Sequence, residues 1–431
     1  MLVSLGLDFN RADVGTRESF HLTDSEVEGA YVRKTECHGV REFLVINTCN
    51  RVELYGWLEA SPRSLRSPHR YLALRYFGSD VEAERFLAVA THRLGRGAVE
   101  HLFRVASGLE SQILGDIHIQ GQVRRAYRLA VETGTLGPHL HRLLDMALRT
   151  GKAVKRETEL MSGRSSVGSE AAALAARRLG GLEGKRCAVV GCGKIGAHTT
   201  QSLLKLGADV VLLNRTAGRA EQLAASVGGR VGDWDRLHAE VAASEVAIVA
   251  TGSRTPVILL DNLLRERSAG DPHLLLIDVG MPRNVEPAIA GFPDTTLVDL
   301  DQLHPDAALV ARSRVDAVPK AQDMVSAHID EYMAWQTSQG AKEALRPLRE
   351  ALHEICMREI RYATEQGGSE NDLERAAGRI VSKLLARPMT VLRGTERDQD
   401  VEVVHGALRL IFENERRAGS DLPPELETAS G

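Results

Sequence analysis

Cys49 stands where a thiol can do covalent chemistry. The apolar run Phe43–Ile46 reads as a buried strand, the polar cluster Asn47–Arg51 interrupts it, and Val52, Leu54 and Tyr55 resume a strand-like alternation. A cysteine at a strand end beside the guanidinium of Arg51 is expected to ionise rather than serve as an inert core thiol. A thiol nucleophile joined to a hydride donor would reduce an activated acyl group by way of a thioester.

The hydride donor has its own signature. Gly191, Gly193 and Gly196, with Cys192, Lys194 and Ile195 between them, follow the strand Cys187–Val190 and open a helix. The first glycine permits the tight turn, the second lets a pyrophosphate approach the backbone, and the third packs helix on strand. The helix N-terminus then offers amide donors to the anion. A second strand, Val210–Leu213, ends in Asn214, Arg215 and Thr216. A cofactor with a free ribose hydroxyl is expected to meet Asp or Glu there, whereas Arg215 suits a 2′-phosphate. NADPH is therefore preferred over NADH. A strand-end loop serving another ligand is the plain alternative.

The bulk composition bounds what these groups can serve. A chain of 431 residues needs two or three domains. With 43% hydrophobic and 26% charged residues it reads as a soluble globular protein, and no stretch reaches membrane-spanning length. A net charge of −4 gives no global attraction to nucleic acid, so RNA contact needs a local basic face. Five cysteines without a Cys-x-x-Cys pair point to neither a disulfide framework nor a metal site, and a reducing cytoplasmic location is expected. No signal peptide is read at the N-terminus. Cys37 and His38 are adjacent on a strand-like segment, so their side chains would diverge; they are set aside as a dyad.

The elements that position the two sites follow from periodicity. Residues 1–160 mix strands, clearest at Val3–Leu7 and Phe43–Ile46, with helices over Gly97–Val105, Gln122–Glu132 and Leu140–Glu157. The Ser/Gly-rich stretch 161–169 reads as a hinge, which would let a static structure hold the two sites apart. Through residues 161–304, strands at Cys187–Val190, Val210–Leu213, Val246–Ala250 and Leu274–Val279 alternate with helices, the pattern of a doubly wound parallel sheet. Residues 305–431 carry only helical patterning, including Met324, Ile329, Met333, Leu345, Leu348, Leu352 and Ile355, and read as an oligomerisation element. Pro319 is expected to kink any long helix there. The fold class is thus α/β: an N-terminal α+β domain, a central Rossmann-type domain and a C-terminal helical domain.

The segment Asn47–Tyr55 closely resembles the active-site motif of the glutamyl-tRNA reductases, the first enzymes of the C5 route to tetrapyrroles. The resemblance extends over essentially the whole chain, through His101–Ser111, Ile119–Arg124, the Gly191–Gly196 loop, Asn214–Thr216, Ile277–Arg283 and Leu384–Pro388. It implies that residues 1–160 form the catalytic domain and residues 305–431 the dimerisation domain. Cys49 would attack the glutamyl ester of the tRNA, and NADPH would reduce the thioester to glutamate 1-semialdehyde. It further implies that Thr48, Asn50 and Arg51 belong to the substrate pocket, Arg51 facing the glutamate carboxylate as a bidentate fork, that Ser111 and Gln122 contact the glutamyl group, and that His101 moves a proton near the thiol. Arg51 as an ion pair with Glu53 at the surface, or His101 as a core-edge residue bonded to backbone, are the plain alternatives. A homodimer is implied, and the aminomutase that consumes the semialdehyde is a candidate partner.

Two segments depart from the family pattern. Asp116, Ile117 and His118 replace Glu-Pro-Gln in the pocket, and Asp8–Asp13 replaces a His-Lys-Thr-Ala-Pro pattern. Arg124, Arg125, Arg128, Arg142, Arg149, Lys152, Lys155 and Arg156 concentrate positive charge before the hinge, as phosphate contact requires; a solvated helix surface balanced by nearby acids is the alternative. Other readings remain open: a divergent paralogue using another acyl donor, a shikimate-dehydrogenase-like oxidoreductase acting on a hydroxyl, or a non-catalytic regulator binding NADPH and tRNA.

Overall fold

The computed structural model describes residues 1–33, 39–58, 68–161, 166–268, 270–303, 312–365 and 375–382. Cys37, His38 and the late segment Leu384–Pro388 lie outside them, as does the middle of the Ser/Gly-rich stretch. Two compact units divide the chain, Met1–Gln336 and Thr337–Gly431.

The first unit contains two sheets. Strands β1 (Leu2–Asp8), β2 (Val40–Asn47), β3 (Arg51–Leu58) and β4 (Thr91–Leu94) form an antiparallel sheet in the order β2-β3-β1-β4. β2 and β3 are a hairpin whose last pair is Asn47 with Val52, so residues 48–51 form the connection that carries the thiol. Residues Arg51–Gly56 are all buried, so the alternation read from Val52, Leu54 and Tyr55 is not an inside–outside pattern: the strand is central and covered on both faces.

Strands β5 (Arg186–Val190), β6 (Asp209–Leu213), β7 (Arg230–Val231), β8 (Val246–Val249), β9 (Leu274–Asp278) and β10 (Thr295–Val298) form a parallel sheet ordered β10-β9-β8-β5-β6-β7. That is the doubly wound order, with its switch point between β5 and β8 where a nucleotide is bound. The near-continuous apolar runs of these strands follow from burial on both faces, and two apolar clusters sandwich the sheet.

The Ser/Gly-rich stretch is hinge-like over a shorter span than its composition implies. Ser166 caps a helix, Val167–Leu179, by accepting the Ser169 N–H at 3.3 Å, so its last residues are helical. The helix Arg312–Glu365 runs unbroken through Pro319. The proline lies close to the helix start, where it removes a single backbone hydrogen bond. Nor is the tail's apolar spacing all private. Ala321, Val325, Ile329 and Tyr332, spaced three to four apart, bury themselves in the core of the N-terminal domain. In the second unit, Arg379 pairs with the buried Glu359 at 2.7 Å. Among the described residues no helix is long and apolar enough to cross a membrane.

Candidate active site

The connection between β2 and β3 is a tight turn. Thr48 N–H donates to the Arg51 carbonyl at 2.8 Å, and Thr48 Oγ1 accepts the N–H groups of Asn50 and Arg51 at 3.3 and 3.2 Å. Cys49 is thereby fixed at the tip of a rigid hairpin. It packs, with Ile113, against the apolar cluster of the Rossmann domain.

A cavity of about 570 Å³ opens in front of it. One wall carries Thr48, Cys49, Asn50 and Arg51; a second carries Ser111, Gln112, Asp116, Ile117, His118 and Gln122. The third belongs to the nucleotide domain: Gly193, Lys194, Ile195, Ala250, Thr251 and Gly252. The thiol site and the nucleotide loop, which the hinge could have held apart, therefore share one space. Long-range polar contacts close it. Arg17, 1% exposed, pairs with Asp301 at 2.6 Å, Arg283 pairs with Glu18 at 2.8 Å, and Gln112 Nε2 donates to the Leu300 carbonyl at 2.8 Å.

The second wall owes its shape to Gly115. Its φ is +75°, and a Cβ there would lie 1.9 Å from the Leu160 carbonyl oxygen. Asp116 Oδ1 accepts the His118 N–H at 2.9 Å, which leaves the other carboxylate oxygen for the cavity. Asn50 Oδ1, Ser111 Oγ, Gln112 Oε1, Arg51 Nε and His118 Nε2 are buried without a hydrogen-bond partner, as in a pocket built to receive a polar ligand. Gln112 was not singled out from sequence. Its position beside Ser111 was the only local signal, because its partner at Leu300 is remote.

Three expectations are corrected. Cys49 does not rest as a thiolate: burial, then the negative charge of Asp116, push its pKa up to about 11, and the lesser pull of Arg17 and Arg51 does not offset them. Arg51 does not present a free fork. Its guanidinium is buried, bonded to Glu53 Oε1 at 2.7 Å and to the Glu110 carbonyl. The Glu53 ion pair thus forms in the interior, because the strand that carries both residues is central. His101 is buried on the helix Arg96–Ala106 and does not line the cavity; its Nε2 lies 2.8 Å from Glu53 Oε1. Burial alone would raise Glu53, but His101, Arg51 and a hydrogen bond from Tyr55 hold it well below the usual carboxylate range.

The nucleotide loop fits a dinucleotide. Gly191 has φ +104°, and a Cβ would lie 2.4 Å from the Ala250 carbonyl oxygen; a Cβ on Gly196 would lie 1.9 Å from that of Gly191. Gly193 faces open space at the start of the helix Lys194–Lys205. Asn214 shapes the loop rather than projecting from it: its Oδ1 accepts the Cys192 N–H at 3.1 Å and its Nδ2 donates to the Thr216 carbonyl at 2.8 Å. Arg215 and Thr216 are exposed at the end of β6, and no acidic residue stands there. Behind the cavity, Asn284 Oδ1 accepts both the N–H and the hydroxyl of Thr251 at 2.8 Å, and Asp278 holds the N–H groups of Gly280, Asn284 and Val285. These bonds explain the buried Asp278 of the segment Ile277–Arg283.

A Rossmann domain of the dehydrogenase type, sharing one cavity with a cysteine at the tip of a hairpin, defines a nicotinamide-dependent oxidoreductase. The chain belongs to the glutamyl-tRNA reductase family. Residues 5–158 match the "Glutamyl-tRNAGlu reductase, N-terminal domain", residues 173–305 "Shikimate / quinate 5-dehydrogenase", and residues 320–414 the "Glutamyl-tRNAGlu reductase, dimerisation domain". The glutamyl-tRNA reductase of Rubrobacter xylanophilus is 33% identical over 399 residues, 91% of this chain and 92% of that protein. Glutamyl-tRNA reductase 2 of Anaeromyxobacter dehalogenans is 33% identical over 97% of this chain and 93% of its own. The solved structure of the Methanopyrus kandleri glutamyl-tRNA reductase matches with a TM-score of 0.50 and 28% identity, covering 96% of this chain and 98% of that one.

Proposed function

We propose that this chain, as a cytoplasmic homodimer, reduces glutamate esterified to the 3′ end of its tRNA to glutamate 1-semialdehyde, the entry to tetrapyrrole and haem synthesis. The observation that carries the proposal is the single cavity joining Cys49 to the Gly193–Ile195 turn. The dimerisation-domain match supports the homodimer. Release of the semialdehyde would suit docking of an aminomutase that consumes it.

Cys49 Sγ attacks the ester carbonyl and holds the glutamyl group as a thioester while tRNA leaves. A thioester accepts hydride far more readily than an ester, which is why the site needs sulfur rather than a serine oxygen. Asn50 Oδ1 and Gln112 Oε1 are acceptors suited to the substrate ammonium; Ser111 Oγ and Arg51 Nε are donors suited to its carboxylate and carbonyl oxygens. Thr48 keeps the thiol at the hairpin tip; Asp116, Ile117, His118 and Gln122 close the far wall. His101 acts on this pocket through Glu53 and Arg51, as a positioning residue. NADPH, held along Gly191–Gly196 with Arg215 and Thr216 at its 2′-phosphate, supplies the hydride when bound. The exposed lysines Lys152 and Lys155 offer phosphate contacts to the RNA.

Incubating the protein with glutamyl-tRNA and NADPH should give semialdehyde in step with NADPH oxidation, and none with free glutamate. A Cys49→Ser protein that retains full activity, or NADP⁺-dependent oxidation of a shikimate-like hydroxyl, would contradict the proposal.

A further inference from the structure

We propose that Asp116 is the proton carrier of the acyl-transfer step, taking the proton from Cys49 Sγ and passing it to the departing ribose oxygen. This rests on the acyl-transfer chemistry proposed above. Cys49 and Asp116 both line the same cavity, the thiol from the tip of the β2–β3 hairpin and the carboxylate from the turn that Gly115 opens. His101 is excluded from that position: it lies behind the wall, with Nε2 committed to Glu53. Among the described residues the Asp116 carboxylate makes no ion pair, and the hydrogen bond it accepts from the His118 N–H uses a single oxygen. A carboxylate fixed by one oxygen and open at the other is built to receive and return a proton.

The charges around the pair fit the role. Asp116 feels its own segment's His118 N–H, Arg51 from β3 and His198 from the helix Lys194–Lys205; Cys49 feels Asp116, Arg17 and Arg51. Burial raises Asp116 to about 6, still ionised at neutral pH, and beside it the thiol is kept protonated. A free thiolate is therefore never required. As the Sγ–C bond forms, the thiol proton moves to Asp116; as the ester C–O bond breaks, the carboxylic acid protonates the ribose oxygen, giving a hydroxyl on the RNA and a carboxylate again. Atoms and charge balance with no external acid or base.

Asp116→Asn keeps an acceptor for the His118 N–H and removes the charge, so two rates should move in opposite directions. Acyl transfer from glutamyl-tRNA to Cys49, followed without NADPH, should fall by about 100-fold or more. Alkylation of Cys49 by iodoacetamide at pH 8, followed on the Cys49 peptide, should accelerate, because loss of the negative charge lowers the thiol pKa. Asp116→Glu should recover acyl transfer, and the wild-type inflection near pH 6 should vanish in Asp116→Asn alone. Unchanged acyl transfer, or a fall in both rates, overturns the proposal; so does weaker substrate binding with an unaltered pH profile. If wild-type protein accepts no acyl group from glutamyl-tRNA, the proposed function fails, and the alkylation pair still decides whether Asp116 and Cys49 are coupled.

Discussion

His101 Nε2 sits 2.8 Å from Glu53 Oε1, the same oxygen that takes the Arg51 guanidinium at 2.7 Å. One buried carboxylate thus binds the histidine on a helix and the arginine beside the thiol, and Tyr55 donates to its other oxygen at 2.8 Å. The network ties the hairpin carrying Cys49 to the core behind it.

Glu53→Gln should destabilise the N-terminal domain by about 3–5 kcal/mol, the cost of leaving one member of a buried pair without its partner. Because Glu53 has a depressed folded pKa, its contribution is fully present above the unfolded glutamate value of about 4.3 and is lost as pH falls below it. Urea unfolding at several pH values should show the variant less stable at pH 7 and less sensitive to acid. Equal stability and equal acid dependence would remove the network from the account.

Asp301→Ala should separate the two half-reactions. Arg17 would lose its carboxylate partner and Val14 N–H its acceptor, loosening the N-terminal domain from the nucleotide domain. Acyl transfer to Cys49 uses the hairpin and should stay within about threefold, whereas NADPH-dependent aldehyde formation should fall by about 10–100-fold. Single-turnover assays with and without NADPH measure both; equal loss in each would contradict the closure argument.

Arg215→Ala should raise the KM for NADPH by about 10–100-fold, the worth of a charged hydrogen bond, while leaving that for NADH nearly unchanged. Initial rates with the two cofactors decide it. An equal effect on both would mean that Arg215 does not read the 2′-phosphate.

Replacing Lys152, Lys155 and Arg156 together by Gln should weaken tRNA binding and reduce its log–log salt slope by about 2–3. Lys152 and Lys155 are exposed, whereas Arg156 pairs with Glu157, and Arg125, Arg142 and Arg149 pair with Asp24, Glu331 and Asp145. Much of the basic stretch is therefore already neutralised, and the two lysines should dominate. Titrations at several salt concentrations with an unchanged slope would exclude the patch.

Local backbone demands were legible in the sequence, and remote partners were not. Gly191 and Gly196 announce themselves because no side chain fits against neighbouring carbonyls, and the polar break at Asn47–Arg51 marks a hairpin because the flanking runs are apolar. Arg51 looked free for substrate because its second partner, the Glu110 carbonyl, is distant in sequence. Gln112 escaped notice for the same reason, its contact at Leu300 being set only when two domains meet. The apolar spacing of Met324, Ile329 and Met333 was visible, but not that the N-terminal core receives it. The resting state of Cys49 was misjudged because adjacency to Arg51 ignores burial and Asp116.

The central claim is that Cys49 carries the substrate as a thioester, and trapping that species tests it most directly. Protein incubated with [¹⁴C]glutamyl-tRNA without NADPH, then quenched in acid and digested, should yield label on the Cys49 peptide. The label should be lost to hydroxylamine, released as aldehyde when NADPH is added before the quench, and absent from Cys49→Ser. Label on no cysteine, or on one other than Cys49, while aldehyde is still produced, would contradict the account.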